Sequence, residues 1–435
     1  MIIRTYIPAG RAPRQAFSAR HQPAVFLVLL MALLPRLLNA QQLPIRVVSD
    51  PGQRIVTITA DGTPFTTFIY PDTLAKPVLY PIYAPDGQLV TRGFPLKARP
   101  GEPIDHPHHL GLWFNYENVN GLDFWNNSYA IPEAKRSQYG WIRTDSILIA
   151  GTLKKPLSVK ELKVISSGTA IPADRRNIPL IANGPPPGPG APANAGAPAN
   201  AGSPTGTGSN PGAQTTNTGS QGILQYSARW TNQQNVPLLR EVTTYSFTAT
   251  AGERIIDRIT ILTALADSGV HFPDAKDGML GLRVTKELQI PSNTPGEFVD
   301  DKGNITKVAA GNTPDINGNY LTSEGKTGDS AWGTRGTWCM LYGKKLDDTL
   351  SVAIIDNPAN PGYPTYWHAR GYGLFAANPL GQAIFSNKTK TMNFYLAKGQ
   401  SATFRYRIVI AAGDHRLSTG RIRQLADAFA LIKTE

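Results

Sequence analysis

Three histidines lie within four positions in the segment Asp105-His106-Pro107-His108-His109, although the whole chain contains only seven. An imidazole titrates near neutral pH and can act as a base, an acid or a metal ligand. Trp113 follows shortly afterwards, and the segment Asn120-Gly121-Leu122-Asp123-Phe124-Trp125 adds a carboxylate and two further aromatic rings. Histidines that lie beside carboxylates and large aromatic residues indicate a small-molecule site.

The spacing of the histidines leaves several kinds of chemistry open. If residues 106–109 are extended, His106 and His108 project from one face of the strand and His109 projects from the other. The pair could serve as acid and base on a substrate. It could equally supply two metal ligands, with His368 or Asp105 as a third. A hydrogen-bonded cluster that fixes a tight turn is the structural alternative. No cofactor is predicted, although a divalent metal is possible.

A second group of reactive side chains is found at Trp367-His368-Ala369-Arg370, followed by Tyr372. Tryptophan and tyrosine rings stack on the apolar faces of sugars, and the rigid fork of an arginine binds carboxylates or hydroxyls. Arg370 could instead be a structural partner for Asp123. The pattern favours a sugar site to which both groups of residues contribute.

Two strand-like segments supply the remaining candidates. Glu241 begins an alternating strand and Arg283 lies in a Gly-Leu-Arg-Val run, and either side chain points into a cleft or into solvent. We predict that all candidates meet in one concave pocket, since antiparallel sandwiches bring distant strands together. The predicted catalytic residues are His106, His108, His368, Glu241 and Arg370. The predicted substrate-binding residues are Trp113, Asp123, Trp125, Arg283, Trp367 and Tyr372.

The elements that must position these side chains are mostly strands. Residues 54–59 alternate polar and apolar, Asp61-Gly62 follows as a turn, and residues 65–70 resume an extended pattern, which predicts a β-hairpin. One helix is predicted at 419–433, where apolar residues recur at helical spacing. Further strand-like runs occur at 78–83, 146–149, 224–230, 241–248, 255–262, 350–355 and 402–410. The fold class is therefore all-β, a large antiparallel β-sandwich with a C-terminal helix.

The first forty residues resemble an export signal. They contain five arginines and no acidic residue, an apolar run at 24–34, and Leu38-Asn39-Ala40 as a cleavage site. The apolar run is too short to span a bilayer. We therefore predict a signal peptide at 1–40, a periplasmic or secreted protein, and no stable membrane insertion after cleavage. An uncleaved anchor is the alternative.

Composition excludes one class of partner and marks one unusual segment. The formal net charge is +12, but the basic residues beyond the first forty positions are spread along the chain. A nucleic-acid partner is therefore not expected. Residues 184–222 are rich in Pro, Gly, Ala and Asn and cannot bury enough apolar surface to fold. We predict one domain at 41–435 that this disordered insertion interrupts; an interdomain linker is the alternative.

Longer motifs resemble a known family. They are Pro77-Val78-Leu79-Tyr80-Pro81, Arg92-Gly93-Phe94-Pro95, the two histidine and tryptophan motifs, and Tyr372-Gly373-Leu374-Phe375-Ala376-Ala377-Asn378-Pro379. The chain resembles exported bacterial proteins labelled PmoA-like, a domain of unknown function. The label does not imply methane oxidation, because the mature chain has no spanning segment. The strand pattern is also similar to galactose-mutarotase-like supersandwiches, in which a histidine and a carboxylate act on a sugar.

These observations predict an exported carbohydrate-binding protein. The resemblance implies an enzyme that acts on a sugar or sugar derivative by acid/base chemistry, of epimerase, lyase or hydrolase type. One alternative is a metal-dependent redox protein that uses His106, His108 and His368. Another is a non-catalytic glycan-binding module, which would have stacking aromatics but no matched acid/base pair.

Overall fold

The computed structural model describes residues 41–153, 220–308 and 315–432. The predicted signal peptide and nearly all of the predicted insertion lie outside these residues. Strands are numbered β1 to β20 and helices α1 and α2 in chain order.

Two eight-stranded antiparallel sheets dominate the described residues. The first sheet has the order β1-β2-β3-β4-β5-β11-β18-β17. Its strands are β1 (Ile45–Asp50), β2 (Ile55–Ala60), β3 (Thr63–Ile69), β4 (Val78–Ile82), β5 (Leu112–Tyr116), β11 (Gly278–Arg283), β17 (Tyr366–Ala369) and β18 (Leu374–Asn378). The second sheet has the order β14-β15-β16-β20-β9-β8-β7-β6. Its strands are β6 (Trp141–Leu153), β7 (Gln221–Thr231), β8 (Pro237–Ala249), β9 (Glu253–Ala264), β14 (Asn319–Thr322), β15 (Trp338–Lys345), β16 (Asp348–Asp356) and β20 (Ser401–Gly413).

The remaining elements are short. Strands β10 (Val270–Phe272) and β19 (Phe394–Leu396) pair with each other, as do β12 (Gly296–Val299) and β13 (Ile305–Val308). The helices are α1 (Gln382–Phe385) and α2 (Thr419–Ala430). Short 3₁₀ helices occur at Glu133–Gln138, Lys286–Leu288 and Gly328–Ala331.

Local sequence explains the first hairpin. Asp61 and Gly62 connect β2 to β3 with φ angles of 48° and 76°. A two-residue turn with both φ angles positive matches the right-handed twist of the strands, and Asp-Gly suits it because both residues tolerate this region. The predicted hairpin is confirmed.

The main core lies between the two sheets. The Phe68 ring of β3 lies 4.6 Å from the Tyr226 ring of β7, and Phe65 meets Phe247 of β8 at 5.7 Å, centroid to centroid. These contacts join inward-facing residues of both sheets, as expected for a sandwich. The predicted all-β sandwich is confirmed.

The two outer faces are covered differently. Helix α2 buries Ile422, Leu425 and Phe429 against outward-facing residues of the second sheet, including Val409 and Ile355. The Ser418 side chain caps this helix by accepting the Arg421 amide hydrogen. The predicted C-terminal helix is confirmed. The outer face of β5, β11 and β18 in the first sheet buries a smaller cluster around Trp113, and no residue of either helix belongs to that cluster.

The predicted end of the insertion at residue 222 is wrong. Strand β7 already begins at Gln221, and the Ser220 hydroxyl accepts a hydrogen bond from the Ile45 amide at 2.6 Å. Residues 220–222 therefore belong to the sheet structure. No helix among the described residues is long and apolar enough to cross a membrane.

Candidate functional site

The outer face of the first sheet carries a row of residues in register. Trp113 of β5 pairs with Gly281 of β11, Gly281 pairs with Ala376 of β18, and Ala376 pairs with His368 of β17. Directly paired residues point to the same face. A Cβ at Gly281 would lie 2.5 Å from the Trp113 ring and 2.8 Å from Trp125. Glycine is required there because both indoles pack directly against the strand.

The histidine segment forms a turn above this face. His106 has φ of 47°, and the His109 amide donates to the His106 carbonyl at 3.0 Å. The expectation of an extended segment with His109 on the opposite face is therefore wrong, because the turn rotates the rings together. His106 and His109 stack at 4.8 Å with parallel planes, and His108 meets His109 edge-on at 4.3 Å.

Asp105 is the centre of a charged cluster. Its Oδ1 accepts hydrogen bonds from Arg92 and Arg283, each at 2.6 Å. Both guanidinium groups are fully buried, whereas the Asp105 side chain is 33% exposed. Burial by itself would raise the pKa of Asp105, but the hydrogen bond from His106 and the two arginine charges outweigh it and hold the pKa below its usual range. Asp105 is therefore ionised at neutral pH.

His106 completes a carboxylate–histidine pair. Its Nδ1 lies 2.5 Å from Asp105 Oδ2, and its side chain is 39% exposed. The imidazole also stacks on the Tyr372 ring at 4.8 Å. A carboxylate that accepts the Nδ1 hydrogen fixes the tautomer and leaves Nε2 as a free acceptor. This arrangement can take up a proton from a ligand at Nε2.

The other two histidines are held neutral. His109 is buried, and its Nδ1 accepts from Arg283 at 3.1 Å, which places the ring hydrogen on Nε2. Burial, followed by the charges of neighbouring residues, lowers the pKa of His109 far below its usual value. Burial and then the Lys76 charge lower the pKa of His108 to about 2. Only the neutral forms of these rings are available near pH 7.

Lys76 lies beneath the same cluster. Its Nζ donates to the Trp125 carbonyl at 3.0 Å and sits 5.4 Å from the centroid of the Trp113 ring. Burial lowers the pKa of Lys76 to about 7, and the Asp123 charge opposes that shift only in part. The Asp123 carboxylate accepts from the amide and side chain of Asn126. Its predicted partner Arg370 does not bind it.

A cavity of about 650 Å³ borders the cluster. One wall follows the segment that leads into Asp105, where the Ile104 amide donates to the Glu297 carbonyl of β12. The residues that shape it are Asp105, Gln289, Phe298, Trp332, Arg370 and Tyr372. Asp105 and Tyr372 both contact His106, so the cavity and the carboxylate–histidine pair are adjacent.

Arg370 lies at this cavity between two aromatic rings. Its guanidinium carbon is 5.6 Å from the Trp332 centroid and 5.7 Å from that of Tyr372. Tyr372 also faces Arg283 at 4.8 Å. The predicted candidates His106, Tyr372, Arg283 and Arg370 therefore lie together, with His108, Trp113, Trp125 and Asp123 packed behind them.

Two predicted site residues lie elsewhere. Glu241 is buried on β8 of the second sheet and accepts hydrogen bonds from Tyr226, Trp230, Thr243 and Arg258. Trp367 points into the core between the sheets, because it is offset by one residue from His368 and so faces the other side. Neither residue lines the cavity.

His368 shares the outer face but not the cluster. It is buried, and its Nδ1 lies 3.2 Å from Asp277 Oδ1 without the alignment of a hydrogen bond. Among the residues that the structure describes, no group of three or more His, Cys, Asp or Glu side chains is arranged to hold a metal ion. The alternative metal set of His106, His108 and His368 therefore gains no support from the geometry.

Several residues of this site were not among the predicted ones. Arg92 was visible only as part of a long motif, Lys76 was not singled out, and His109 had been assigned to the opposite face. Trp332 and Gln289 lie in stretches without a chemical signature. The role of Asp105 in the histidine motif becomes clear only in the fold, where buried Arg92 and Arg283 both bind its carboxylate.

Comparison with protein families gives one clear match. A family model described as a family of unknown function (DUF6807) matches residues 55–161 and 194–427. The chain belongs to this family. Membership of DUF6807 agrees with the resemblance to a domain of unknown function and assigns no activity. No curated protein sequence matches the chain.

Solved structures give only distant likenesses. The galactosidase domain of the α-galactosidase–sucrose kinase AgaSK is 10% identical, with a TM-score of 0.34, over 85% of this chain and 42% of that one. A kojibiose phosphorylase from the human microbiome is 9% identical, with a TM-score of 0.23, over 48% of this chain and 21% of that one. An α-galactosidase from Geobacillus stearothermophilus is 11% identical, with a TM-score of 0.23, over 45% of this chain and 24% of that one. This DUF6807 chain thus spans less than half of each, and likenesses this weak carry no functional argument.

Proposed function

We propose that the protein binds a carbohydrate in the cavity and acts on it by acid/base chemistry, with His106 as the base. The observation that carries the proposal is the Asp105–His106 pair, in which Asp105 lines the cavity and His106 lies next to it against Tyr372. Arg92 and Arg283 keep Asp105 ionised, and Asp105 in turn orients the imidazole. After His106 accepts a proton at Nε2, the same carboxylate stabilises the imidazolium.

The lining of the cavity supports a sugar as the ligand. Trp332, Tyr372 and Phe298 offer aromatic surface, while Gln289, Glu297 and Arg370 offer hydrogen-bonding groups. Sugars combine apolar ring faces with hydroxyls, so a site for them needs both kinds of contact. The Gln289 side-chain nitrogen is buried and has no hydrogen-bond partner. A ligand hydroxyl can satisfy it.

The reaction starts with proton removal by His106. Epimerisation and elimination begin with removal of a proton from a sugar carbon, and hydrolysis begins with activation of a water molecule. Each needs one positioned base beside a bound sugar. Export through the predicted signal, a periplasmic or secreted location, the PmoA-like label and the galactose-mutarotase-like supersandwich assignment remain parts of the proposal that rest on sequence alone.

The test is turnover of a panel of monosaccharides and disaccharides, followed by NMR, with protein purified without a histidine tag. We expect turnover that His106→Asn lowers by about 10²–10⁴-fold, the usual contribution of a general base. Asparagine is chosen because it tolerates the positive φ at this position. His415→Ala is the matched control, because that histidine is exposed and lies after β20, outside the site.

Other outcomes would replace the proposal. Sugar binding without any turnover would identify a glycan-binding module instead. Turnover that a chelator abolishes and a divalent metal restores would favour the metal-dependent alternative. Full activity in His106→Asn would remove the base from the mechanism.

A further inference from the structure

Among the buried groups where the cavity meets the cluster, positive charge exceeds negative charge, because Arg92 and Arg283 share one carboxylate. Arg92, Arg283 and Arg370 surround Asp105 and Tyr372, while Asp105 is the one carboxylate that two of them bind. Arg92 and Arg283 are fully buried, so solvent screens their charges little. One carboxylate cannot balance three guanidinium groups. This part of the cavity therefore attracts an anion.

Arg370 is the guanidinium available to a ligand. No described residue forms a hydrogen bond or an ion pair with its side chain, and the side chain is exposed at the cavity. Trp332 and Tyr372 flank it, which restrains the planar group without using its donors. A guanidinium with free donors matches the two oxygens of a carboxylate.

The remaining charges at the cavity do not cancel this attraction. Glu297 and Asp329 also line it, but both are exposed to solvent and neither lies within ion-pair distance of Arg370. Water screens such exposed carboxylates strongly. Buried Gln289, whose side-chain nitrogen has no partner, adds a neutral donor.

We propose that the ligand of this cavity is a sugar acid whose carboxylate is bound by Arg370. The inference rests on the proposed carbohydrate function and names its substrate class. The sugar ring would lie against Trp332 or Tyr372, and Gln289 would donate to a hydroxyl. A uronate places a carboxylate on the same ring that carries those hydroxyls. Its ring must reach the Asp105–His106 pair for chemistry to follow.

The test compares matched acidic and neutral sugars by isothermal titration calorimetry on the full chain. Galacturonate and glucuronate are the acidic probes, and galactose and glucose are their neutral counterparts. We expect the uronates to bind at least tenfold more tightly, and Arg370→Gln to remove that preference. Arg416→Gln is the matched control, because Arg416 is an exposed arginine stacked on Tyr342 away from the cavity.

The outcomes separate this inference from the proposed function. Equal affinity for neutral and acidic sugars, with turnover that depends on His106, would overturn the sugar-acid inference and leave the proposed function standing. Uronate affinity unchanged in Arg370→Gln would also overturn it. Failure of all four sugars to bind, together with no turnover of the wider panel, would overturn both.

Discussion

Two carboxylate–arginine clusters of the protein, one around Glu241 and one around Asp105, differ in what surrounds them. Glu241 and Arg258 pair at 2.8 Å between the sheets, and their side chains are 1% and 2% exposed. Asp105 pairs with Arg92 and Arg283 at equal distances of 2.6 Å but lies at a cavity. Both clusters are built from the same residue types. The geometry around them decides their roles.

The capacity to bind a ligand separates the two clusters. Tyr226, Thr243 and Arg258 donate to one oxygen of Glu241, and Trp230 donates to the other. Glu241 does not line the cavity beside Asp105, and its partners tie β7, β8 and β9 of the second sheet together. Asp105 instead accepts a hydrogen bond from Nδ1 of His106 and so fixes the orientation of the imidazole, whose Nε2 stays free for a ligand. A charged group therefore indicates a functional site when some of its hydrogen-bonding capacity reaches open space.

The largest predicted effect is the loss of stability in Glu241→Gln. Replacing this carboxylate leaves the Arg258 charge buried without compensation, which costs about 3–5 kcal/mol. Chemical denaturation followed by tryptophan fluorescence should measure that loss. The double variant Glu241→Leu with Arg258→Met should recover part of it, because it removes both buried charges but leaves Tyr226, Trp230 and Thr243 without this acceptor.

Asp105→Asn is the matched change in the other cluster. We expect a smaller loss of stability, because Arg92 keeps the carbonyls of Pro103, Asp105 and His106 as acceptors and Arg283 keeps His109. Turnover should fall about as far as in His106→Asn, because His106 loses the carboxylate that orients it. Equal destabilisation by the two changes would contradict the distinction between a structural and a functional cluster.

Sequence patterns predicted the strands better than the directions of their side chains. The Asp61-Gly62 turn and the α2 apolar stripe are local signals, and both were found as predicted. Glu241 was misplaced because β8 is buried along nearly its whole length, so polar alternation does not distinguish inside from outside. The turn at His106 was considered only as the structural alternative, because positive φ is uncommon for any residue other than glycine. Tertiary packing determines both features.

An effect of intermediate size is the dependence of stability on pH that Lys76 contributes. The folded-state pKa is about 7, against 10.5 for the free side chain. Between these values the unfolded chain binds more protons than the folded one, so stability from this group increases as pH rises. We expect Lys76→Met to reduce the gain in the free energy of unfolding between pH 7 and pH 9.5 by about 3 kcal/mol.

Denaturation curves of the wild type and Lys76→Met at both pH values would measure this difference. Lys398→Met serves as the control, because Lys398 lies at the surface beside Asp267. The same pH dependence of the free energy of unfolding in the wild type and in Lys76→Met would contradict this expectation. It would mean that Lys76 contacts water in the folded state and that the outer face around it is loosely packed.

The smallest predicted effect on stability is that of His106→Asn. His106 is partly exposed and makes one hydrogen bond, to a carboxylate that two arginines also hold, so its loss should cost no more than about 0.5 kcal/mol. His109→Ala is the contrasting variant, since it leaves buried Arg283 without one acceptor and should cost about 1–3 kcal/mol. Thermal melts and turnover measurements on both variants would distinguish a structural role from a functional one. A large stability loss in His106→Asn with turnover intact would show that the Asp105–His106 pair stabilises the turn and does not act in catalysis. A different residue would then have to serve as the base at the cavity.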